Sequence, residues 1–306
     1  MTEEAQASGT VLMVRPRSFG FHAEAAQSNV FAYDQPSADV TAAIREVEAV
    51  VERLESAGVE VLILDDPPQP PKPDAVFPNN WVSFHRDGTM VLYPMATAAR
   101  RLERSPDALK ALMEKNGFRV GQVVDLSFHE RRGHFLEGTG SLVLDRPGRR
   151  AFASLGPRTD ALPIADFDER LTYSTLLFES RDRSGRPIYH TNVLLSLGTG
   201  FAVLCPEAVV PEFRELLIGE IEATGRALIE VDYEQMRQFA CNLIELKGRS
   251  GPVIALSSIA RKTFRPDQLR ALEGYGELAD VNIPTIEAIG GGSVRCMIAD
   301  VHLPRL

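Results

Sequence analysis

The sequence is poor in cysteine, in excess positive charge and in long apolar runs, and each shortage excludes a class of protein. Its 306 residues contain three cysteines, Cys205, Cys241 and Cys296. They are too few and too scattered for a disulfide framework, and no C-x-x-C pair indicates a zinc site. Acidic residues outnumber basic ones by 42 to 33, giving a net charge of −9. We therefore expect no metal, no nucleic-acid partner and a reducing, cytoplasmic compartment.

Targeting and membrane signals are also lacking. No apolar run approaches the length needed to span a bilayer, and the acidic, polar N-terminus has neither region of a signal peptide. The apolar fraction of 44% and charged fraction of 25% are those of a globular protein. We expect one domain over residues 1–306, with no membrane partner.

One structural order recurs along the chain. Apolar hairpins are predicted at 81–93, 141–153, 192–205 and 242–256, each followed by a helix and a further strand. The repeat length is about fifty to sixty residues, a period typical of radial or solenoid arrays. A helix over 37–58, with Ser37 as its N-cap, and a strand at 59–64 belong to the remaining unit. There, residues 294–300 would pair with the N-terminal strand at 11–14 and close a ring of five ββαβ units. A doubly wound sheet fits less well, because hairpins rather than single strands alternate with the helices.

A polar or reactive residue stands where each first strand is predicted to open. If the units surround an axis, these side chains converge on it: Asn79 and Asn80, Glu137, His190 and Asn192, Cys241 and Asn242, Arg295 and Cys296. A cysteine within reach of a histidine supplies a nucleophile and a proton carrier. Glu137 would orient the histidine or bind a cationic group.

Three glycines, residues 290–292, precede Cys296. Glycine allows positive φ angles and close approach of backbone to a ligand, which suits a nucleophile at the mouth of a strand. The alternative is a tight turn before a buried structural cysteine. A nucleotide-binding interpretation fails, because a strand rather than a helix is predicted to follow.

Four motifs together resemble the amidinotransferase/deiminase (pentein) superfamily, and in particular its citrulline-utilisation hydrolase (CtlX-like) and dimethylarginine dimethylaminohydrolase-like members. They are DAVFPNNW at 74–81, LEGTGS at 136–141, YHTNV at 189–193 and GGGSVRCM at 290–297. The resemblance extends over about residues 11–304. It implies a five-bladed α/β propeller of ββαβ repeats with pseudo-fivefold symmetry, in agreement with the repeat found from the sequence.

The resemblance also implies roles for individual residues. Cys296 would attack the guanidinium or ureido carbon to give a covalent adduct, with His190 as general acid and then base. Glu137 would hydrogen-bond the substrate nitrogens and the histidine. The substrate-binding residues implied are Asp74, Asn79, Asn80, Arg101, Arg158 and Asn192, the two arginines holding an α-carboxylate. No cofactor is expected.

Two positions depart from the pattern of many deiminases, which have carboxylates where this chain has Asn80 and Asn192. Amides donate as well as accept hydrogen bonds, which suits a neutral ureido group such as that of citrulline. These departures favour a ureido or substituted-guanidino substrate over arginine.

The sequence thus predicts a cysteine-dependent hydrolase of C–N bonds in a guanidino- or ureido-bearing amino acid: citrulline, arginine or a substituted arginine. Amidino transfer between amines would use the same residues. A non-catalytic binding protein, like the ribosome anti-association factors, is disfavoured by the intact Cys296, His190 and Glu137 and by the acidic charge. A homodimer is compatible with the sequence, and residues 19–35 are predicted to form a lid.

Overall fold

The computed structural model describes residues 4–34, 40–67 and 69–306, and these residues form five three-stranded sheets. In chain order the strands are β1 Thr10–Arg15, β2 Glu60–Asp65, β3 Val82–Phe84, β4 Thr89–Leu92, β5 Gln122–Asp125, β6 Val143–Asp145, β7 Arg150–Leu155, β8 Ser174–Glu179, β9 Leu195–Leu197, β10 Phe201–Leu204, β11 Ala227–Glu230, β12 Ile244–Lys247, β13 Pro252–Ser257, β14 Glu277–Val281 and β15 Ala299–Asp300.

All five sheets share one topology. The middle strand pairs antiparallel with one neighbour and parallel with the other, in the orders β15–β1–β2, β3–β4–β5, β6–β7–β8, β9–β10–β11 and β12–β13–β14. A tight turn joins each antiparallel pair within the four continuous units. The parallel pair needs a longer crossover, which contains helix in every unit. This arrangement confirms the predicted five-bladed α/β propeller.

The α-helices lie mainly in these crossovers. They are α1 Ala23–Ala26, α2 Val40–Ser56, α3 Ala98–Arg101, α4 Pro106–Lys115, α5 Gly138–Ser141, α6 Ala161–Leu171, α7 Pro211–Glu222, α8 Tyr233–Arg237, α9 Ser258–Thr263 and α10 Pro266–Glu273. Helix α2 buries Ala43, Val47, Val50 and Leu54, a helical spacing that accounts for its packing on the sheet. The predicted N-cap, Ser37, lies outside the described residues.

Burial distinguishes the inner and outer strands of each sheet. The inner strands β3, β6, β9 and β15 are wholly buried, and β3 packs against β15 and β9 against β6 and β12. The outer strands β2, β5, β8 and β11 each contain a single buried residue, and their other residues are half-buried or exposed. The inner strands therefore surround a common centre, where backbone from distant parts of the chain meets.

Ring closure agrees with the prediction, but the local structure near Cys296 does not. Strand β1 pairs antiparallel with β15, with Val11 opposite Asp300. The strand predicted over 294–300 is wrong for its first part, because Val294–Met297 forms a 3-10 turn. Comparable helical turns precede β3, β6 and β9. We call Pro78–Asn80, α5, Thr191–Val193 and Val294–Met297 the inner turns.

Candidate active site

The inner turns bring the predicted catalytic residues together. The turn Pro78–Asn80 packs against α5 and against Val294–Met297, and α5 also packs against Thr191–Val193. Glu137 and His190 are the residues that precede two of these turns, and Cys296 lies within the last. Glu137 lies behind His190, and His190 and Cys296 border a buried cavity of about 20 Å³. Its lining is Ala25, Asn29, Asp74, Phe77, Asn80, Arg100, Arg158, Tyr189, His190, Gly290, Gly291, Gly292 and Cys296.

His190 and Glu137 form a hydrogen-bonded pair. His190 Nε2 lies 2.8 Å from Glu137 Oε2, and both side chains are buried. Because an ionised carboxylate can only accept, Nε2 carries the proton and Nδ1 is the free base of the neutral ring. Burial lowers the pKa of His190 to about 4, although the bond to Glu137 opposes that shift. The imidazole is therefore neutral at pH 7.

Glu137 stays ionised although it is fully buried. Burial by itself would raise its pKa, but the positive charge of Arg158 and the bond from His190 outweigh this and hold the pKa well below the ordinary value. Arg158 Nη1 lies 3.3 Å from Oε2, and the backbone N–H of Ala96 donates to Oε1 at 3.1 Å. This carboxylate can stabilise a positive charge on the imidazole when one forms.

Two amides hold the Cys296 thiol. Asn192 Nδ2 lies 3.5 Å from Sγ and Asn242 Nδ2 lies 3.3 Å from it. The Asn242 amide also accepts from the backbone N–H of Arg295 at 3.1 Å and donates to the carbonyl of Asn192 at 3.3 Å. Asn192, predicted to bind substrate, thus touches the Cys296 sulfur rather than the cavity, whose lining does not include it.

The glycines before Cys296 are required by close packing. A Cβ at Gly290 or Gly292 would approach the ring of Phe77 to 2.8 or 2.9 Å, and Gly291 has a φ of +64°. Gly140 in α5 is equally constrained, because its Cβ would lie 2.5 Å from Asn80 Nδ2 and 2.8 Å from His190 Nδ1. Because these glycines have no side chain, the residues around the cavity can approach one another closely.

Of the two predicted substrate-binding arginines, Arg158 lines the cavity and Arg101 does not. Arg101 points away from the cavity: it donates to the carbonyls of Met95 and Ala96 and stacks over Phe135. Arg100 lines the cavity instead. Since successive residues of a helix point about 100° apart, only one of the two can face the cavity from α3.

Arg100 is itself extensively bound. It makes two hydrogen bonds to Glu103, at 2.9 and 3.0 Å, and donates from Nη1 to Asn80 Oδ1 at 2.7 Å. The Asn80 amide is thereby oriented, and its buried Nδ2 has no protein partner among the described residues. Its neighbour Asn79 does not line the cavity, and both polar atoms of its buried side chain are unpaired within the same residues.

Asp74 and Arg158 connect the cavity to the segment that covers it. His22 Nδ1 lies 2.6 Å from Asp74 Oδ2, and Arg158 donates to Ser28 Oγ at 2.9 Å and to the Ala25 carbonyl at 2.7 Å. The segment 19–34, which includes α1, therefore lies over the site, as the predicted lid requires. Residue 35, the predicted end of the lid, lies outside the described residues.

The covering segment also holds the glycine loop. Asn29 Nδ2 donates to the carbonyls of Gly290 and Gly291, each at 3.2 Å, and the Tyr189 hydroxyl donates to Gly291 at 2.9 Å. The Tyr189 ring contacts His190 on one side and carries the Arg158 guanidinium at 4.9 Å. The covering segment, the glycine loop and His190 are thus packed as one unit.

Three residues of the site were missed by the sequence prediction, namely His22, Arg100 and Tyr189, and Asn242 was placed at the centre without a role. Asn242 carried a signal, because it occupies the predicted strand opening in its repeat. Tyr189 and Arg100 are next to residues that were predicted, but the sequence does not show which of two neighbouring side chains points into the cavity. His22 is more than fifty positions from Asp74 along the chain, and its pairing carried no sequence signal.

Comparison with known proteins identifies the family. The sequence model of the eukaryotic N,N dimethylarginine dimethylhydrolase family matches residues 15–303. This chain belongs to that family. It is accordingly a hydrolase that acts on non-peptide C–N bonds. No curated protein sequence shows significant similarity to it.

Solved structures share the fold of this dimethylarginine dimethylhydrolase family member. The N-terminal domain of ArgZ, an arginine dihydrolase from the ornithine-ammonia cycle in cyanobacteria, has a TM-score of 0.75 at 18% identity, covering 97% of this chain and 99% of that one. Full-length ArgZ gives 0.73 at 19%, covering 97% and 41%, so this chain spans less than half of that enzyme. A dimethylarginine dimethylaminohydrolase adduct with S-methyl-L-thiocitrulline gives 0.63 at 15%, covering 96% and 99%. The fold is the pentein fold.

Two kinds of feature are absent from the described residues. No cluster of three or more His, Cys, Asp and Glu side chains suited to a metal ion occurs among them. None of their helices is both long enough and apolar enough to cross a membrane.

Proposed function

We propose that this hydrolase cleaves the terminal C–N bond of a ureido-bearing amino acid, of which citrulline is the simplest, through a covalent adduct on Cys296. The observation that carries the proposal is the convergence of the Cys296 thiol and the His190–Glu137 pair on one buried cavity. A nucleophile beside a base that is oriented by a third group is the arrangement expected for covalent catalysis.

In the first half-reaction the sulfur attacks the planar carbon. A C–S bond forms, the C–N bond to the terminal amine breaks, and the thiol proton reaches the departing nitrogen with His190 as carrier. The neutral imidazole has a free ring nitrogen to accept the proton, and the ionised Glu137 at 2.8 Å stabilises the imidazolium that results. The adduct is then a thiocarbamate, and ammonia is released.

In the second half-reaction water replaces the sulfur. His190, neutral again, takes a proton from the water as its oxygen bonds to the carbon. The C–S bond breaks, the thiol is restored, and the carbamate product loses carbon dioxide to leave the free amine. No oxidant, metal or cofactor is needed for this balance.

The orientation of Asn80 favours a ureido head group. Its Oδ1 is held by Arg100, so its unpaired, buried Nδ2 is presented as a donor beside His190. A buried donor is stabilised by an acceptor. A ureido group has a carbonyl oxygen to offer, whereas a guanidinium has only N–H donors.

The charge balance of the cavity supports the same choice. The two carboxylates at or next to the cavity each face an arginine: Asp74 Oδ2 lies 3.8 Å from Arg100 Nε, and Glu137 Oε2 lies 3.3 Å from Arg158 Nη1. Arg100 adds a further positive charge 3.8 Å from Glu137. A cationic guanidinium would meet compensated carboxylates, so a neutral head group is bound at lower electrostatic cost. We assign the α-carboxylate to Arg158, the cavity arginine stacked on Tyr189.

The test is a substrate panel of citrulline, arginine, methylated arginines, agmatine and N-acylated arginines, scored for ammonia or alkylamine, with glycine added in parallel to detect amidino transfer. We expect citrulline to have the highest kcat/KM. Asn80→Asp keeps the acceptor for Arg100 but replaces the donor by a negative charge. This variant should shift the citrulline-to-arginine ratio of kcat/KM toward arginine by at least about tenfold. A tenfold change corresponds to roughly 1.4 kcal/mol, the free energy expected for one such contact.

Two controls accompany the panel. Asn282→Asp makes the same charge change at an exposed position and should leave the ratio unchanged. Cys296→Ser should abolish turnover while the far-UV circular dichroism stays that of the parent. Faster turnover of arginine than of citrulline by the parent protein would contradict the ureido assignment, and full activity of Cys296→Ser would contradict the mechanism.

A further inference from the structure

Asn242 contacts the sulfur of Cys296, the proposed nucleophile. It follows the turn between α8 and β12, is 2% exposed, and does not line the substrate cavity. Its backbone N–H is bonded to the Phe239 carbonyl at 2.8 Å, and Phe239 is one of three non-glycine residues with positive φ, at +62°, among the described residues. The chain is thus held in an uncommon turn at the point that presents this amide.

Only one orientation of the Asn242 side-chain amide matches the donors and acceptors around it. Its Oδ1 faces the backbone N–H of Arg295, which can only donate. The Nδ2 group must then face the two remaining neighbours, the carbonyl of Asn192 and the sulfur of Cys296, both at 3.3 Å. The sulfur therefore receives an N–H donor whose direction is set by the backbone on either side of it.

The sulfur needs such donors, because Cys296 is buried. A thiolate away from water is costly unless N–H groups or cations compensate it. Within the described part of the chain, the hydrogen-bond donors to Sγ are the amides of Asn242 and Asn192. The guanidinium of the adjacent Arg295 points elsewhere, to the Ile298 carbonyl and to Asp300.

We infer that Asn242 is a positioning residue that, together with Asn192, holds the Cys296 sulfur toward the substrate cavity and stabilises its thiolate form from the opposite side. This inference rests on the proposed role of Cys296 as nucleophile. Neutral amides perform the task without a cation, which leaves the cavity side of the sulfur free for the substrate carbon.

The test measures the ionisation of Cys296 without substrate. The rate of iodoacetamide alkylation is followed between pH 5 and 10 by mass spectrometry of the peptide that contains Cys296, with Cys205 and Cys241 as internal references. Asn242→Asp keeps the bond from Arg295 but replaces the donor by a negative charge. We expect the alkylation midpoint to rise by at least about one pH unit, equivalent to a tenfold change in ionisation.

Other charged groups face the sulfur and remain in every variant. On the cavity side they are Asp74, Arg100, Arg158 and His190, with Tyr189 beside them and Glu137 behind the histidine. Asn282→Asp, exposed and of the same charge change, should not move the midpoint. Asn242→Ala, which adds no charge, should raise the midpoint by less and should lower kcat with little change in KM.

The outcomes separate this inference from the proposed function. An unchanged alkylation midpoint in folded Asn242→Asp overturns the positioning role, whatever the substrate proves to be. If Asn242→Asp does not fold, an unchanged midpoint in Asn242→Ala does the same. A raised midpoint in a protein that hydrolyses no substrate of the panel would support the thiolate role of Asn242 while the proposed reaction fails.

Discussion

Cys296 is one of three buried cysteines, and its surroundings separate it from the other two. Cys205 and Cys241 belong to the largest hydrophobic cluster, where burial raises the pKa of Cys205 to about 11 and that of Cys241 well above its ordinary value. Those thiols stay protonated and inert. Cys296 instead has two amide donors and borders the cavity. The contacts around each sulfur, rather than the residue type, therefore mark Cys296 as the proposed nucleophile.

The pKa of His190 gives a prediction at the residue scale. The reaction begins with the neutral imidazole, so the acid limb of kcat/KM should lie nearer pH 4 than 6.5. Glu137 raises the pKa of His190, whereas Arg158 lowers it. Glu137→Gln removes the first influence and leaves the second uncompensated, so the limb should move to still lower pH.

The same variant should turn over more slowly at every pH, because no carboxylate stabilises the imidazolium; a loss of roughly a hundredfold in kcat is expected for a disabled general acid. The measurement is kcat/KM and kcat for the best panel substrate from pH 3.5 to 9, limited to pH values at which the variant remains folded. A limb that moves to higher pH in Glu137→Gln would refute the assignment.

At the scale of elements, the inner turns explain how distant segments form one site. A strand directs alternate side chains to opposite faces, whereas one helical turn before each inner strand allows backbone and side chains to meet at the centre. Gly138 shows how close this approach is, because a Cβ there would lie 2.2 Å from the carbonyl oxygen of Asn79. Small residues in α5 are thus a condition of the site's geometry.

Gly140→Ala tests the role of this packing. The new Cβ would meet Asn80 Nδ2 at 2.5 Å and His190 Nδ1 at 2.8 Å, so one of these side chains must move. Because a displacement of about 1 Å at a reacting group lowers the rate about a hundredfold, we expect a loss of that order in kcat/KM for Gly140→Ala.

The matched control is Gly219→Ala in α7, where a Cβ meets nothing within 4 Å. It should leave kcat/KM unchanged and raise the free energy of unfolding by about 0.5–1 kcal/mol, because alanine is the better helix former. Activity assays and urea denaturation check both variants. Normal activity in Gly140→Ala would show that the centre is less tightly packed than described.

At the scale of the whole molecule, buried ion pairs link segments that are far apart in sequence. Arg146 donates to Glu4 and Asp300, each at 2.8 Å, and to the carbonyl of Phe84 at 3.1 Å. It thereby joins the residues just before β1, the end of β3 and the closing strand β15. The molecule is closed by these contacts as well as by the pairing of β1 with β15.

Arg146→Met should therefore destabilise the ring. It leaves Glu4 and Asp300 buried without their shared cation, for which a cost of about 3–5 kcal/mol is expected. Arg150→Met breaks the ion pair between Arg150 and Glu220, two side chains that are each more than two-fifths exposed. This variant should lower the free energy of unfolding by less than about 1 kcal/mol. Chemical denaturation of both variants is the measurement, and equal losses would contradict the importance of the buried cluster.

Local sequence patterns predict the repeat, the order of hairpin, helix and strand in each unit, and the placement of a histidine, a glutamate and two cysteines at equivalent strand openings. These features are local: apolar periodicity and turn residues act over ten or so positions, as in the Asp87–Gly88 turn and helix α10. Internal repetition placed Glu137, His190 and both Cys241 and Cys296 at equivalent points of a ring, and the family resemblance then indicated Cys296 as the nucleophile.

Which side chains complete the site depends on the tertiary structure. Arg100 rather than Arg101 faces the cavity because of the rotation of one short helix, and Asn242 reaches Cys296 because two repeats abut at the centre. Helical turns replaced the predicted strand at 294–297 because that backbone bonds to Asn242 and to its own turn rather than to a neighbouring strand. Each outcome depends on contacts between residues far apart in the chain, whose directions no local pattern encodes.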